Sequence, residues 1–209
     1  MTRERGRPRT FDIDSALDRA VEVFWKHGFQ DASMHDLTEA MGLSKPSLYA
    51  AFGDKEALYL KALTRYVELL IARHGAALND EPDGRKAVAG FMRSMTKMGS
   101  DPALPGGCFI INGTADCGGT TVPPSVEQAL RAALAGSEAM LVERLERARA
   151  DGQLPDGAKP RQLASLFATL MAGLAVMAKG GAGFEKLDAV IDAGMAAWPQ
   201  VRPKAATRA

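Results

Sequence analysis

The sequence predicts an all-α protein of about nine helices, an N-terminal three-helix head followed by a larger helical body. Three observations carry that prediction. Apolar residues recur three and four apart in segment after segment, the spacing that lays a buried stripe along a helix. Residues 33–58 hold the start and stop signals of two short helices and the start of a third. Breaks rich in Gly, Pro and polar residues at 79–84, 100–107, 152–159 and 180–183 punctuate the remainder.

The first helix is expected over 12–26, with Ile13, Leu17, Ala20, Val21 and Phe24 on one face and His27-Gly28 closing it. Phe29 returns into a small N-terminal core, whereas Trp25 suits either that core or a half-exposed position. Ser33 then caps a short helix with Asp36 near its positive end, and Leu37 and Met41 share its buried face. Gly42 supplies the permissive backbone of a sharp turn, and Leu43 plugs the corner. Ser44 caps the next helix with Lys45 and Pro46 in its first turn, where a missing N–H costs nothing. Leu48 and Phe52 face back toward Leu37 and Met41, and Gly53-Asp54 ends this helix and caps a third.

Two helices joined by so short a turn cross steeply, which is the helix-turn-helix arrangement of DNA readers. With Leu48 and Phe52 inward, Lys45, Ser47 and Tyr49 must point outward from a helix N-terminus. An amine, a hydroxyl and a phenol there suit phosphate positioning and some base-edge contact.

The run TEAMGLSKPSLYAAFGDKEAL, residues 38–58, resembles the DNA-binding signature of the TetR family of bacterial transcriptional repressors. It shares the small-residue helix, the Gly turn, the Ser-capped helix carrying Tyr, the Phe and the Lys-Glu pair opening a long helix. Thr38 stands where that family usually has Ala, and Ala51 where a His before the Phe is common. The resemblance implies a homodimer that reads a palindromic double-stranded operator and is released by a small molecule. It implies DNA contacts from Lys45, Pro46, Ser47 and Tyr49, with phosphates held at Ser33, Ser44 and Lys55. Arg7 and Arg9 would reach out from the arm Arg3, Arg5, Arg7, Arg9, whose Gly6 and Pro8 discourage helix.

Beyond the head, a long helix is expected over 54–77, with Leu60, Leu63, Val67, Leu70 and Ile71 inward and His74 continuing that face. His74 suits either a core edge or the floor of a pocket. A helix over 85–98 buries Val88, Phe91, Met92 and Met95, and a short apolar helix over 108–119 follows. The resemblance makes Cys108, Phe109, Asn112 and Asp116 pocket residues. The alternative for Phe109, Ile110 and Ile111 is plain core packing. The implied cavity lies between the long fourth helix and the helices around Phe91, Phe109 and Phe167, with Met95 and Met171 beside them. A helix over 125–151 ends in the charged run ERLERARADG, expected to be a solvated face.

The helix over 160–179 is apolar all round, with Leu166, Leu170 and Leu174 on one side and Ser165, Ala168, Ala172 and Val176 on the other. The last helix, over 184–198, carries Leu187, Ile191, Met195 and Trp198. These two look like the halves of a four-helix dimer interface, as in TetR-like repressors; which side of 160–179 meets the partner stays open. The expected division is a helix-turn-helix domain at 1–53, a ligand-binding and dimerisation domain at 54–200, and a basic tail at 201–209.

Composition bounds the alternatives. A 46% hydrophobic and 24% charged chain of 209 residues can bury about 70% of its unfolded surface, an ordinary globular balance. The net charge of +1 argues against a protein coated in basic residues, so DNA affinity must be local. Two cysteines make no disulfide framework, which fits a reducing cytoplasm, and no signal peptide opens the chain. Residues 162–178 are uncharged but short for a bilayer, so no membrane role is expected. Three scattered His give no metal site, and no phosphate loop, dinucleotide fingerprint or nucleophile elbow appears, so neither cofactor nor enzyme activity is expected. Two rival readings remain. One is a redox- or electrophile-responsive repressor using Cys108 at a helix start. The other is a helical ligand-binding protein or enzyme without a specific operator.

Overall fold

A computed structural model of the chain describes residues 12–201, and among them every regular element is helical. Arg7 and Arg9 and the tail after Val201 therefore lie outside the described residues. The head comprises α1 (Ile13–Asp31), α2 (Met34–Met41), α3 (Lys45–Phe52) and the start of α4 (Lys55–Asn79). The body adds α5 (Gly84–Gly99), α6 (Phe109–Thr114), α7 (Pro124–Ala150), α8 (Pro160–Lys179) and α9 (Phe184–Gly194), followed by a single 3-10 turn, Met195–Ala197.

The first helix closes at Gly28 as expected: that residue leaves helical geometry (φ 72, ψ −177), and a separate short turn continues to Asp31. The break swings Phe29 onto the ring of Tyr59, 5.4 Å between centroids. One boundary differs from the sequence expectation. The helix after Cys108 stops at Thr114 instead of reaching the glycines, and turns follow in which Asp116 and Cys117 bond back three residues. Asn112, Gly113 and Thr114 are weak helix formers. Gly113 lies so close to α4 and α7 that a Cβ there would sit 2.8 Å from the Tyr59 hydroxyl.

Two buried cores form. One joins Ala20, Phe24, Leu37, Leu48, Phe52, Leu58 and Tyr59 of the head to Phe109 and Ile110 of α6 and Val126 and Leu130 of α7. The other gathers Val88, Met92, Leu141, Leu145, Phe167, Leu174, Leu187 and Ile191 from α5, α7, α8 and α9. The long α4 runs beside both and is pinned at each end. At its start Glu56 accepts from Ser125 of α7, and farther along Arg65 grips Asp18 of α1 through two bonds of 2.7 and 3.2 Å. At its far end, Arg144 of α7 donates to the carbonyls of Leu78 (3.0 Å), Glu81 (2.9 Å) and Pro82 (3.2 Å). Arg147 adds the carbonyl of Asn79 at 2.9 Å, and Gln153 that of Pro82 at 2.8 Å.

The charged run is thus not simply a solvated face. Arg144 is 2% exposed because the helix end it covers presents carbonyls that water does not reach.

Most of the residues expected at a subunit interface lie inside the protomer. Leu174, Leu187, Ile191, Met195 and Trp198 are buried inside the protomer, with Trp198 stacked on Phe167 at 6.4 Å. α9 has one strongly apolar face, and α5 and α8 need it as cover; Arg93 of α5 locks the arrangement by binding Asp188 (2.6 Å) and Asp192. Leu170 is partly buried, and only Leu166 of the expected set is exposed. The bare side of α8 carries Leu166, Gly173, Val176 and Met177, with Val190 exposed on α9.

Candidate nucleic-acid interface and internal cavity

The helix-turn-helix is built by local signals that agree with one another. The Ser33 hydroxyl accepts the Asp36 amide while Asp36 accepts the Ser33 amide, both at 3.1 Å, a reciprocal cap at the start of α2. The same Ser33 hydroxyl bonds Asp36 at 2.7 Å and, with the amide, holds that carboxyl below its ordinary value. Gly42 turns the chain in the left-handed region (φ 66, ψ 31), and the Leu43 amide reaches back to the Thr38 carbonyl at 3.0 Å. Ser44 accepts the Ser47 amide at 3.3 Å to start α3, and Asp54 accepts the Ala57 amide at 2.8 Å to start α4.

α3 is oriented by burial. Leu48 is fully buried and Phe52 2% exposed, packed in the core that holds Leu37 and Met41. The intervening Tyr49 is 48% exposed, and Ser44, Lys45, Pro46 and Ser47 are exposed beside it. Among the head helices, α3 is the one without an acid in its first turn: α1, α2 and α4 carry Asp14, Asp36 and Glu56 there. Its positive end is left for an external anion.

Ser33 is exposed, but Lys55 is half-buried. Its ammonium donates to the Gln30 carbonyl at 2.9 Å and stands 4.8 Å from the centre of the Phe29 ring, and burial pushes its pKa down. The sequence reading missed Lys61, whose ammonium donates to the Phe52 carbonyl at 2.9 Å and so closes the end of α3. Nothing in its spacing announces that role.

A cavity of about 360 Å³ lies in the body, between α4, α5, α6, α7 and α8. Of the expected residues it brings together Phe91, Met95, Cys108 and Met171. The other five are placed elsewhere. His74 bonds Ser94 at 2.7 Å one turn beyond the cavity, with its pKa lowered first by burial and then by Arg73. Phe109 is wedged between Tyr59 and Tyr66, and Phe167 is fully buried against Trp198. Asn112 spends its amide on the Gly106 carbonyl at 3.2 Å, and Asp116 is exposed near Gly28. Missed lining residues include Val67, Leu70 and Ile71 of α4, Ala133, Ser137 and Met140 of α7, and Ala168, Ala172 and Ala175 of α8. Ala168 and Ala172, from the small-residue side of α8, leave space unfilled here.

The cavity wall touches the head through an aromatic chain. Phe109 sits between the cavity-lining Cys108 and Ile110, and its ring meets Tyr59 at 5.2 Å and Tyr66 at 5.4 Å. Tyr59 in turn meets Phe24 at 4.9 Å, and Tyr66 meets Trp25 at 5.2 Å. The Tyr66 hydroxyl accepts the Phe109 amide at 3.3 Å and approaches the Cys108 sulfur at 3.5 Å. Trp25, undecided by sequence, is buried and donates to the Gly106 carbonyl at 3.0 Å, so it belongs to this junction. Both cysteines are free thiols, and burial, with Glu127 nearby, pushes the Cys117 thiol up.

Comparison with known proteins agrees with these features. Residues 16–62 match the family described as bacterial regulatory proteins, tetR family, and residues 84–194 match the tetracyclin repressor-like C-terminal domain. The chain is 34% identical over 203 residues to the HTH-type transcriptional repressor ComR of Escherichia coli K12, covering 95% of this chain and 94% of that one. A solved cysteine mutant of the TetR family regulator CifR, complexed with 26-base-pair operator DNA, is 38% identical with a TM-score of 0.85, covering 92% of this chain and all of that one. A TetR regulator from Rhodococcus sp. RHA1 is 33% identical with a TM-score of 0.60 over 89% of this chain and 98% of its own. These relatives are transcription regulators, not enzymes.

Proposed function

The chain belongs to the TetR family of bacterial transcriptional regulators, and from that premise we propose that it is a homodimeric repressor released from a palindromic operator by a small molecule. The observation that carries this reading is the split within α3: Leu48 and Phe52 are held in the core while Tyr49 stands in solvent. A helix fixed on one side and bare on the other can enter a major groove as a rigid body. Lys45, Pro46, Ser47 and Tyr49 would meet the DNA. The starts of α2 and α3 at Ser33 and Ser44 would take phosphates, with Lys55 near them and Arg7 and Arg9 along the adjacent backbone.

Residues 1–53 would act as the reader and 54–200 as the effector-binding and dimerising part. The first core crosses that boundary through Leu58, Tyr59, Phe109 and Leu130, so the two parts would move in concert. The bare side of α8 with Val190 of α9 offers the surface for pairing. A twofold axis there would present two copies of α3 to two half-sites. A molecule entering the cavity would press on Ile110 and Cys108, and Phe109 would pass the displacement to Tyr59, Tyr66 and thence α1. The bound molecule must favour one arrangement over the other for that displacement to weaken DNA binding.

The test is fluorescence anisotropy of the full chain on labelled duplex from the DNA upstream of its own gene, across a salt series. Specific binding should exceed that to random duplex by at least about a thousandfold, and Lys45→Ala should lower the salt slope by about one. Equal affinity for both duplexes would overturn the reading.

A further inference from the structure

What a cavity wall offers restricts what can enter it. None of the side chains lining this cavity is charged, and Thr96, Ser137 and Cys108 alone carry polar side-chain atoms. The Cys108 sulfur is already met by the Tyr66 hydroxyl at 3.5 Å, and the Ser137 hydroxyl donates to the Ala133 carbonyl of its own helix at 3.1 Å. Thr96 is different: it is 6% exposed, lines the cavity, and its hydroxyl makes no hydrogen bond among the described residues.

The ionic groups on neighbouring turns do not line this space. Arg144 holds the carbonyls at the end of α4, Arg93 holds Asp188, and His74 bonds Ser94 through Nδ1, its Nε2 buried outside the cavity wall without a partner among the described residues. The mouth is apolar as well, since the lining residues that reach solvent include Ile71 at 50% and Leu134 at 39% exposure. A sulfonate, carboxylate or ammonium carried through that mouth would give up its water and find no counter-charge inside. A neutral ring system would lose nothing comparable, and it would gain the burial of its apolar surface.

We propose that the cavity binds a neutral, compact, largely apolar molecule that turns one hydrogen-bonding group toward the Thr96 hydroxyl, and that it rejects charged molecules of the same shape. The proposal rests on the reading of this cavity as the effector site. It adds the chemical class of the effector and the residue that orients it.

The test uses two probes that share one ring system, the neutral N-phenylnaphthylamine and the anionic anilinonaphthalene sulfonate, titrated by fluorescence into the full-length protein. The neutral probe should bind at least tenfold more tightly. Ala172→Phe, which fills the cavity, should abolish its binding, and Thr96→Val should weaken it several-fold with the circular-dichroism melt unchanged. Met171→Lys, a second variant that places a cation in the wall, should reverse the preference toward the sulfonate. Equal or tighter binding of the sulfonate to the unaltered protein overturns the proposal. So does neutral-probe binding that survives Ala172→Phe in a folded protein or ignores Thr96→Val. Operator binding is measured on the same preparation: loss of operator specificity with the probe results intact would sink the repressor reading and leave the cavity assignment standing.

Discussion

Adjacent residues of α3 should fail in opposite ways when shortened. Leu48 is fully buried, so Leu48→Ala removes its apolar surface and leaves a void beside Phe52 and Leu37. Such truncations cost about 2–5 kcal/mol. At roughly 3 kcal/mol and about 3 °C per kcal/mol for a chain of this size, the melting temperature should fall by about 10 °C. Tyr49, 48% exposed, has little packing to lose, and alanine is the better helix former, so Tyr49→Ala should change stability by no more than about 0.5 kcal/mol. Its operator affinity should nonetheless drop tenfold or more, the effect of a lost contact of about 1.4 kcal/mol. Thermal denaturation followed at 222 nm separates the first effect, and anisotropy titration at a temperature where both variants are folded separates the second. A Tyr49→Ala chain that melts as early as Leu48→Ala, or that binds operator as tightly as the unaltered chain, would show that α3 does not divide into a packed and a reading side.

Three further outcomes follow from other contacts. Arg144→Met should destabilise by about 2–4 kcal/mol, because the Glu81 carbonyl loses its charged donor, while Arg147 and Gln153 still reach Leu78 and Pro82; urea denaturation measures it, and an unchanged midpoint would contradict it. His74 has a folded pKa below its ordinary 6.5, so its contribution is complete above that value and is lost as the pH falls below it. Stability measured at pH 7.5 and 5.5 should therefore drop more for the unaltered chain than for His74→Gln, and equal drops would remove the argument. Val176→Glu together with Val190→Glu, both on exposed positions, should yield a folded monomer by sedimentation, whereas Leu187→Ala should lower the melting temperature without changing the association state. A dimer that tolerates both glutamates would place the pairing surface elsewhere.

The head was legible because its signals are local. Ser33 and Asp36, Gly42, Ser44 and Pro46 each act within four residues, and Leu37, Met41, Leu48 and Phe52 repeat the spacing of one buried face. The cavity was only partly legible because a void is a property of five helices together. Phe109 and Phe167 have the composition of pocket residues, yet tyrosines of α4 and Trp198 cover them, partners far away in sequence. Trp25 could not be placed for the same reason: its acceptor is the Gly106 carbonyl, 81 residues on. The charged end of α7 looked like a solvated face because nothing in ERLERARADG reveals that the end of α4 will lie beneath Arg144. On α9 the apolar periodicity correctly marked a face that must be covered, but periodicity does not say whether the cover comes from the same chain. Leu187 and Ile191 find it in α5 and α8.

The most direct test of the regulator reading is selection of bound duplexes from random DNA by the full-length chain, run in parallel with Tyr49→Ala. The expected result is a twofold-symmetric consensus whose half-site centres are separated by about one helical turn, 34–36 Å, or a multiple of it, and loss of that enrichment in the variant. An asymmetric consensus, or one that Tyr49→Ala enriches just as well, would contradict it.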